Sequence, residues 1–316
     1  AKAADTPEKR RGVGIAWGGF NVTEGGGDSA EVALELMPGN KIRKYDTWHA
    51  MGQGATTGSL VVTLEALKEM HLTPEDIQLI QNDTKTCPDT GMAGASRSLY
   101  MDGNATIIAA NKLLAAMRKE DGTLRTYDEM KAEGIETKYL GRYETNTTPG
   151  LCRLDPNTGI GDPTPAFTYC LNLAEVEVDT KTGKTTVLKF TCVDFVGRIG
   201  NIDAVNGQAY SGIMHGIGFA LKEDYADVKK HANMFGAGTS YIKDVPDDID
   251  LIHIDGAISD GPFGSSGASE AFQASGHCAV LNGIYNACGV RIHEIPALPE
   301  KVKAGLDAIA KGEKPY

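Results

Sequence analysis

The 316 residues include six cysteines, Cys87, Cys152, Cys170, Cys192, Cys278 and Cys288, with no C-x-x-C pair among them. An iron–sulfur or zinc cluster built on local cysteine motifs is therefore excluded. In a chain of this length the scattered thiols read as reduced, as in a cytoplasmic protein. The seven histidines are equally dispersed, with no H-x-x-x-H, so a metal ligated by the protein itself is not expected. Basic residues are short as well: 31 Lys and Arg against 42 Asp and Glu give a net charge of −11. That balance argues against a nucleic-acid surface and against adsorption to anionic membranes. No apolar run reaches the length of a bilayer span, and no apolar signal segment stands at the N-terminus. There is no initiating Met, which reads as a processed chain or one cut from something longer. Also missing are a G-x-x-x-x-G-K-[ST] phosphate loop, a Ser-His-Asp order, a nucleophile elbow and paired carboxylates of glycosidase type.

What is present is enough apolar sequence, 41%, to bury a sizeable core in one large or two ordinary domains. Strand-like runs occur at 12–20, 30–37, 44–49, 77–81, 251–254 and 291–295. Helical spacing occurs at 57–70, 96–117, 127–132, 202–225, 271–287 and 299–310. The clearest hairpin joins 167–178 to 185–194 through Asp179-Thr180-Lys181-Thr182-Gly183-Lys184. Residues 134–162 are polar and read as an external excursion, and no internal repeat is visible. Strands and helices alternate without strict βαβ order, which predicts an α+β architecture of mixed sheets packed with helices. It divides into two lobes, 1–150 and 151–316, with the seam near 151–165.

Four glycine-rich loops, each attached to a helix, fall at 51–58, 91–97, 212–218 and 261–270. Each alone is compatible with a packing glycine or a cap. Together they point to a large polyanionic, hydroxyl-rich ligand clasped by backbone amides. Their one basic side chain, Arg97, pairs either with a phosphate or with a nearby acid such as Asp89. Gln53 either bonds an oxo group or ring edge of a ligand or satisfies its own loop. Ser96 and Thr90 either donate to phosphate or cap the helix that follows. His215, among apolar helix residues, reads first as a satisfied core histidine. The last loop, Asp260-Gly261-Pro262-Phe263-Gly264-Ser265-Ser266-Gly267-Ala268-Ser269-Glu270, leads to one carboxylate. Glu270 is either a first-turn helix acid or a base held beside a turn.

At these loops the chain resembles the molybdenum-binding portion of the xanthine oxidase family, most closely its prokaryotic aldehyde oxidoreductase branch. The resemblance runs over nearly the whole length. It rests on Gly12-Val13-Gly14-Ile15, Gly52-Gln53-Gly54-Ala55, Gly94-Ala95-Ser96-Arg97 and Gly207-Gln208-x-Tyr210-x-Gly212. It continues with Gly216-Ile217-Gly218-x-Ala220-Leu221, Gly261-Pro262-Phe263-Gly264-x-Ser266-Gly267-x-x-Glu270 and Pro296-Ala297-Leu298-Pro299-Glu300-Lys301-Val302.

The resemblance implies a molybdopterin dinucleotide with molybdenum, cytosine being the usual prokaryotic form, and no metal ligand from the protein. It implies cofactor contacts at Gly52, Gln53, Gly54, Gly91, Ala93, Gly94, Ala95, Ser96, Arg97, His215, Gly267 and Ala268. Glu270 matches the family's catalytic base, in an enzyme oxidising aldehydes to carboxylic acids with water as oxygen source. The alternatives are hydroxylation of an N-heterocycle of purine or nicotinate type, or a non-catalytic subunit that holds cofactor. Iron–sulfur clusters, FAD and the other half of the molybdenum domain are then expected on partner chains or segments. The sequence departs from the family at Ser269, where Gly is usual, at Ala271-Phe272-Gln273, where Pro or Leu often follows the glutamate, and at His215, commonly Gln.

Overall fold

The protein is described by a computed structural model covering residues 4–23, 27–81, 83–145, 155, 157–161 and 164–314. Cys152 and much of the polar excursion lie outside the described residues.

Strand β1 (Lys9–Val22) opens the chain, followed by the hairpin β2 (Ser29–Met37) and β3 (Lys41–Asp46). Helix α1 (Ala55–Ala66) crosses over to β4 (Ile77–Gln81), which lies parallel to β3. The long helix α2 (Ser98–Met117) and short α3 (Tyr127–Ala132) lead to β5 (Lys138–Glu144). α3 starts on a capping box: Thr126 accepts from the Glu129 amide while the Glu129 carboxylate accepts from the Thr126 amide. The sequence then repeats the pattern with a second hairpin, β6 (Ala166–Asp179) and β7 (Thr185–Phe195). Helix α4 (Ile202–Leu221) crosses over to β8 (Asp248–His253), parallel to β7. Helices α5 (Ser269–Gln273), α6 (Gly276–Cys288) and α7 (Pro299–Ala310) complete the chain.

Two four-stranded mixed sheets result, ordered β4-β3-β2-β5 and β8-β7-β6-β1. Each is a hairpin extended by a parallel crossover on one side and by one antiparallel strand on the other. The topology repeats although the residues do not, because hydrophobic pattern and crossover handedness define the unit without fixing side-chain identity. The architecture is α+β, as the alternation of elements implies. To the division at 150/151 the topology adds an exchange: β1 pairs along its whole length with β6 and so belongs to the later sheet.

Close packing of helices on the sheets explains two early glycines. A Cβ on Gly14 would stand 2.0 Å from the Ala279 carbonyl oxygen of α6, and one on Gly12 would stand 2.3 Å from that of Gly283. The Gly12-x-Gly14 spacing therefore serves helix-on-strand contact. The core clusters follow the two sheets, one around Leu34, Ile42, Leu113 and Met130, another around Val176, Phe190, Ile213 and Phe272.

Three expectations need correction. The excursion 134–162 contains β5, an edge strand that pairs with β2. Its residues read as polar because only Gly141 is buried, against α2. Residues 291–295 form no strand. The helix expected over 271–287 breaks at Ala274–Ser275, where the Ser275 hydroxyl bonds Asn172 and the Ala16 carbonyl instead of continuing one smooth cylinder.

Candidate active site

Both crossovers turn at the carboxyl ends of their strands, and the loops they make face one cavity of about 770 Å³. Four loops line it: 48–54 after β3, 93–99 after β4, 196–201 after β7 and 262–270 after β8. The crevice beyond strand carboxyl ends, where connections diverge, is where open α/β sheets bind ligands. The first turn of α1 adds Ala55 and Gly58, and the N-terminal half of α4 adds Ala204, Gln208 and Ser211. α1 begins on Gly54 at φ 81° with no side-chain cap, so its first amides carry no local acceptor. A second cavity of about 550 Å³ adjoins the first, sharing Glu65, Arg198, Gly200, Phe263 and Ser265 as walls.

The loop backbones are held in uncommon conformations around this space. Gly52 has φ 106°, and Ala95, Ser96 and Phe263 have φ 50°, 49° and 54°. Each left-handed non-glycine residue costs about 1–2 kcal/mol and persists only where its surroundings over-determine it. At 95–97 the surroundings are visible. The Ala95 carbonyl accepts from the Thr23 amide, and Arg97 is buried against Asp28 through two hydrogen bonds of 2.6 and 2.8 Å. The remaining guanidinium hydrogens go to the carbonyls of Thr90, Met92 and Ser29. All five donors of Arg97 are thus used inside the protein, and its partner is Asp28, not Asp89 or a ligand. Gly91 lies against this guanidinium, 2.8 Å from where a Cβ would stand. Gly91, Ala95 and Arg97 build the loop and are not among the lining residues.

The strained turn presents Ser96 to the opposite loop. Its Oγ donates to Glu270 Oε2 at 2.6 Å, and the Glu270 amide donates back to Ser96 Oγ at 3.4 Å. Gly267 makes this possible: a Cβ there would lie 1.7 Å from the Ser96 carbonyl oxygen. Two loops separated by 174 positions in the sequence are therefore locked on one carboxylate. Glu270 is half-buried, and among the described residues no cation forms an ion pair with it. Such a carboxylate, oriented by one hydroxyl and left with an open oxygen, can accept a proton from a molecule in the cavity.

Gly52, Gln53, Gly54, Ala93, Gly94, Ser96, Gly267, Ala268 and Glu270 come together on the cavity wall. Gln53 spends its amide on its own turn, accepting from the Met51 amide and donating to the His49 carbonyl at 3.2 Å. His215 sits one turn past Ser211 on α4, beyond the lining residues, with its ring against Phe219. Residues 212–218, expected as a loop, lie inside helix α4, where Gly212 and Gly216 let the helix pack on Phe272 and Gly276. Their expected place is taken by Val196, Arg198, Ile199, Gly200 and Asn201, which the glycine count passed over. The available signal was position: a turn directly after a strand and ahead of an Asn-capped helix, Asn201 accepting from the Ala204 amide. Trp48 and Ser211 were missed for the same reason, whereas Gln208 and Ser266 stood in the quoted motifs without being assigned a contact.

Beneath the first loop lies a buried ionic network. Lys44 reaches Asp102 at 2.6 Å and Asp46 at 3.3 Å, all three side chains being inaccessible. Asp46 also accepts from Ser59, Gln81 and the Trp48 amide, tying β3, α1, β4 and the cavity loop together. Burial pushes the Asp102 carboxyl up to about 6 against the opposing pull of Lys44. Among the described residues, no group of three or more His, Cys, Asp or Glu converges as a metal-ligand set, and no helix is long and apolar enough to cross a membrane.

Comparison with known proteins gives concordant findings. Residues 1–246 match the family model of a molybdopterin cofactor-binding domain, a span that holds three of the four lining loops. The aldehyde oxidoreductase of Megalodesulfovibrio gigas is 40% identical over 308 residues, covering 98% of this chain and 34% of that protein. The probable hypoxanthine oxidase of Escherichia coli (strain K12) is 28% identical over 277 residues, 83% of this chain and 29% of that protein. The crystal structure of the aldehyde oxidoreductase from Desulfovibrio desulfuricans ATCC 27774 superposes with a TM-score of 0.91 at 43% identity, over 96% of this chain and 33% of that one. The chain thus spans about a third of the length of these two aldehyde oxidoreductases.

Proposed function

Because the chain belongs to the molybdopterin cofactor-binding domain family of the molybdenum hydroxylases, we propose that it is the cofactor-holding, base-bearing part of an enzyme that oxidises aldehydes to carboxylic acids with water as oxygen source. The observation that carries this is Glu270: a carboxylate on the cavity wall, oriented by Ser96 and free of any ion pair among the described residues.

The residues present fit a molybdopterin dinucleotide. Gly52 and Gly94 have no neighbour closer than 3.9 Å to a would-be Cβ, so their backbones face open space from the wall. Ser266 and Trp48 also line the cavity, and each carries a buried polar atom, Oγ and Nε1, with no partner. Two adjoining cavities give elongated room. Gly52, Gly54, Ala93, Gly94, Ser96, Gly267 and Ala268 would hold the group by backbone donors, with Ser266 and Gln208 as side-chain donors. When bound, the cofactor supplies the molybdenum redox chemistry that removes two electrons from the substrate. Glu270 supplies the proton acceptor. Ser96 occupies Oε2, which directs the proton to Oε1, and a positioned base of this kind contributes about 10²–10⁴ in rate. Phe263, Leu99, Val196 and Val205 give the pocket apolar walls that exclude water around the transfer.

The expected contacts at Gly91, Ala95 and Arg97 act through the loop they build, and His215 lies beyond it. The finer assignments belong to the same proposal: a cytosine dinucleotide, iron–sulfur clusters and FAD on partner chains or segments, the other molybdenum-domain half as neighbour, and a cytoplasmic site. Replacing Glu270 with Gln in the assembled enzyme tests the reading. Turnover should be lost while molybdenum content per chain stays the same; full turnover with molybdenum retained refutes the base assignment. A second reading, hydroxylation of a purine-like heterocycle, draws on the 28% identity to the probable hypoxanthine oxidase. Comparing aldehydes with purines and pyridine carboxylates as substrates separates the two.

A further inference from the structure

The outer face of the later sheet changes character along its strands. At one end it is ion-paired: Lys9 and Arg11 of β1 bond Glu177 of β6 at 2.6 and 2.9 Å. Further along the same face the outward residues become Ile15, Trp17, Leu171, Tyr169 and Phe167. Trp17 is 66% exposed. Its ring stacks on Tyr169 with centroids 5.7 Å apart, and Phe167 stacks on Tyr169 at 6.2 Å. Ile252 of β8 carries the apolar surface to the far edge of the sheet. The inner face of the same strands is already covered by α6. A sheet with one wet face alternates apolar and polar residues, as β6 does from Glu175 to Asp179. From Ala166 to Leu173, in contrast, its outward positions are as apolar as a strand buried on both sides. An aromatic, charge-free centre with ion pairs at its margin is the anatomy of a protein interface.

We infer that this half of the sheet, centred on Trp17 and Tyr169, is the seat of the remaining two-thirds of the enzyme's polypeptide, presenting an apolar, uncharged surface. The inference rests on the reading of the chain as one part of a larger molybdenum enzyme. The occupant follows from size: the relatives carry about twice as much chain again beyond the matched third. A polypeptide of that bulk has to contact this part over a broad area.

The test uses the assembled enzyme with all its polypeptide. A benzophenone amino acid in place of Tyr169 is irradiated and the joined peptides are sequenced. Adducts should fall in polypeptide outside these 316 residues. Adducts to a second copy of this chain, or none to protein, overturn the inference. Hydroxyl-radical oxidation of the unaltered enzyme provides a readout without a variant. Trp17, corrected for intrinsic reactivity, should be oxidised about tenfold more slowly than the exposed Tyr225, as befits an interface centre; equal rates overturn it. If no further polypeptide accompanies this chain on isolation, the parent reading falls with it. If one does but Tyr169 and Trp17 stay open, the surface assignment alone is wrong.

Discussion

Replacing Gly267 with alanine puts the least mass where the site has the least room. The new Cβ would lie 1.7 Å from the Ser96 carbonyl oxygen and 2.6 Å from its carbon, both backbone atoms that cannot swing aside. To restore ordinary contact the two loops must part by roughly 1.5–2 Å. The Ser96–Glu270 bond, 2.6 Å long, does not survive such a shift. Overpacking of this sort costs about 1–3 kcal/mol and the lost hydrogen bond about 1 kcal/mol more. In a chain of this size that corresponds to a fall in Tm of roughly 3–6 °C. With Glu270 in its proposed role as base, a displacement of this size should lower turnover by about a hundredfold. Scanning calorimetry and turnover per bound molybdenum in the assembled enzyme measure both. Gly52→Ala is the comparison: at φ 106° it is strained, yet nothing lies within 4 Å, so it should lose about 1–2 kcal/mol without the clash. Unchanged Tm and turnover in Gly267→Ala would refute the close approach. A fallen Tm with unchanged turnover would show that Ser96 does not hold Glu270 in its working position.

Arg97→Lys keeps the charge but loses the planar fork that reaches Asp28 and three carbonyls. Stability should drop by about 3–5 kcal/mol, read as the shift of the urea midpoint, because buried polar groups are left unpaired. Asp102 gives a pH signature. Burial raises its folded carboxyl to about 6 from the ordinary 3.8, so between those values the folded state holds a proton that the unfolded chain has released. Its contribution to stability therefore falls as pH rises from about 4 to 6, by on the order of 2–3 kcal/mol. Urea titrations across that window should show a decline in the parent protein relative to Asp102→Asn; parallel curves would remove Asp102 as the source.

Local chemistry was legible before any coordinates. Tyr127–Ala132 and Pro299–Ala310 fall where helical spacing places them, one behind a Thr-Glu capping box, the other behind a proline. The hairpin around Asp179 is there because Asp179 accepts from the amides of Lys181 and Thr182 and Gly183 takes φ 77°. Glu270 and the turn before it could be singled out because glycine, proline and a lone acid in a row are a local signal. Loop 196–201 could not, since it carries only two glycines and owes its role to following β7 into a cavity shared with three distant loops.

The sequence by itself determined most of the elements and the class of fold and singled out Glu270 as a candidate, because propensity, periodicity and capping act within a few residues of each other. The tertiary structure decided which of those elements meet. β1 joins a sheet whose nearest strand lies more than 140 residues away, Arg97 finds Asp28, and Ser96 finds Glu270. Such pairings depend on register and on how closely two backbones approach, quantities that arise only when the chain packs and that no window of neighbouring residues encodes.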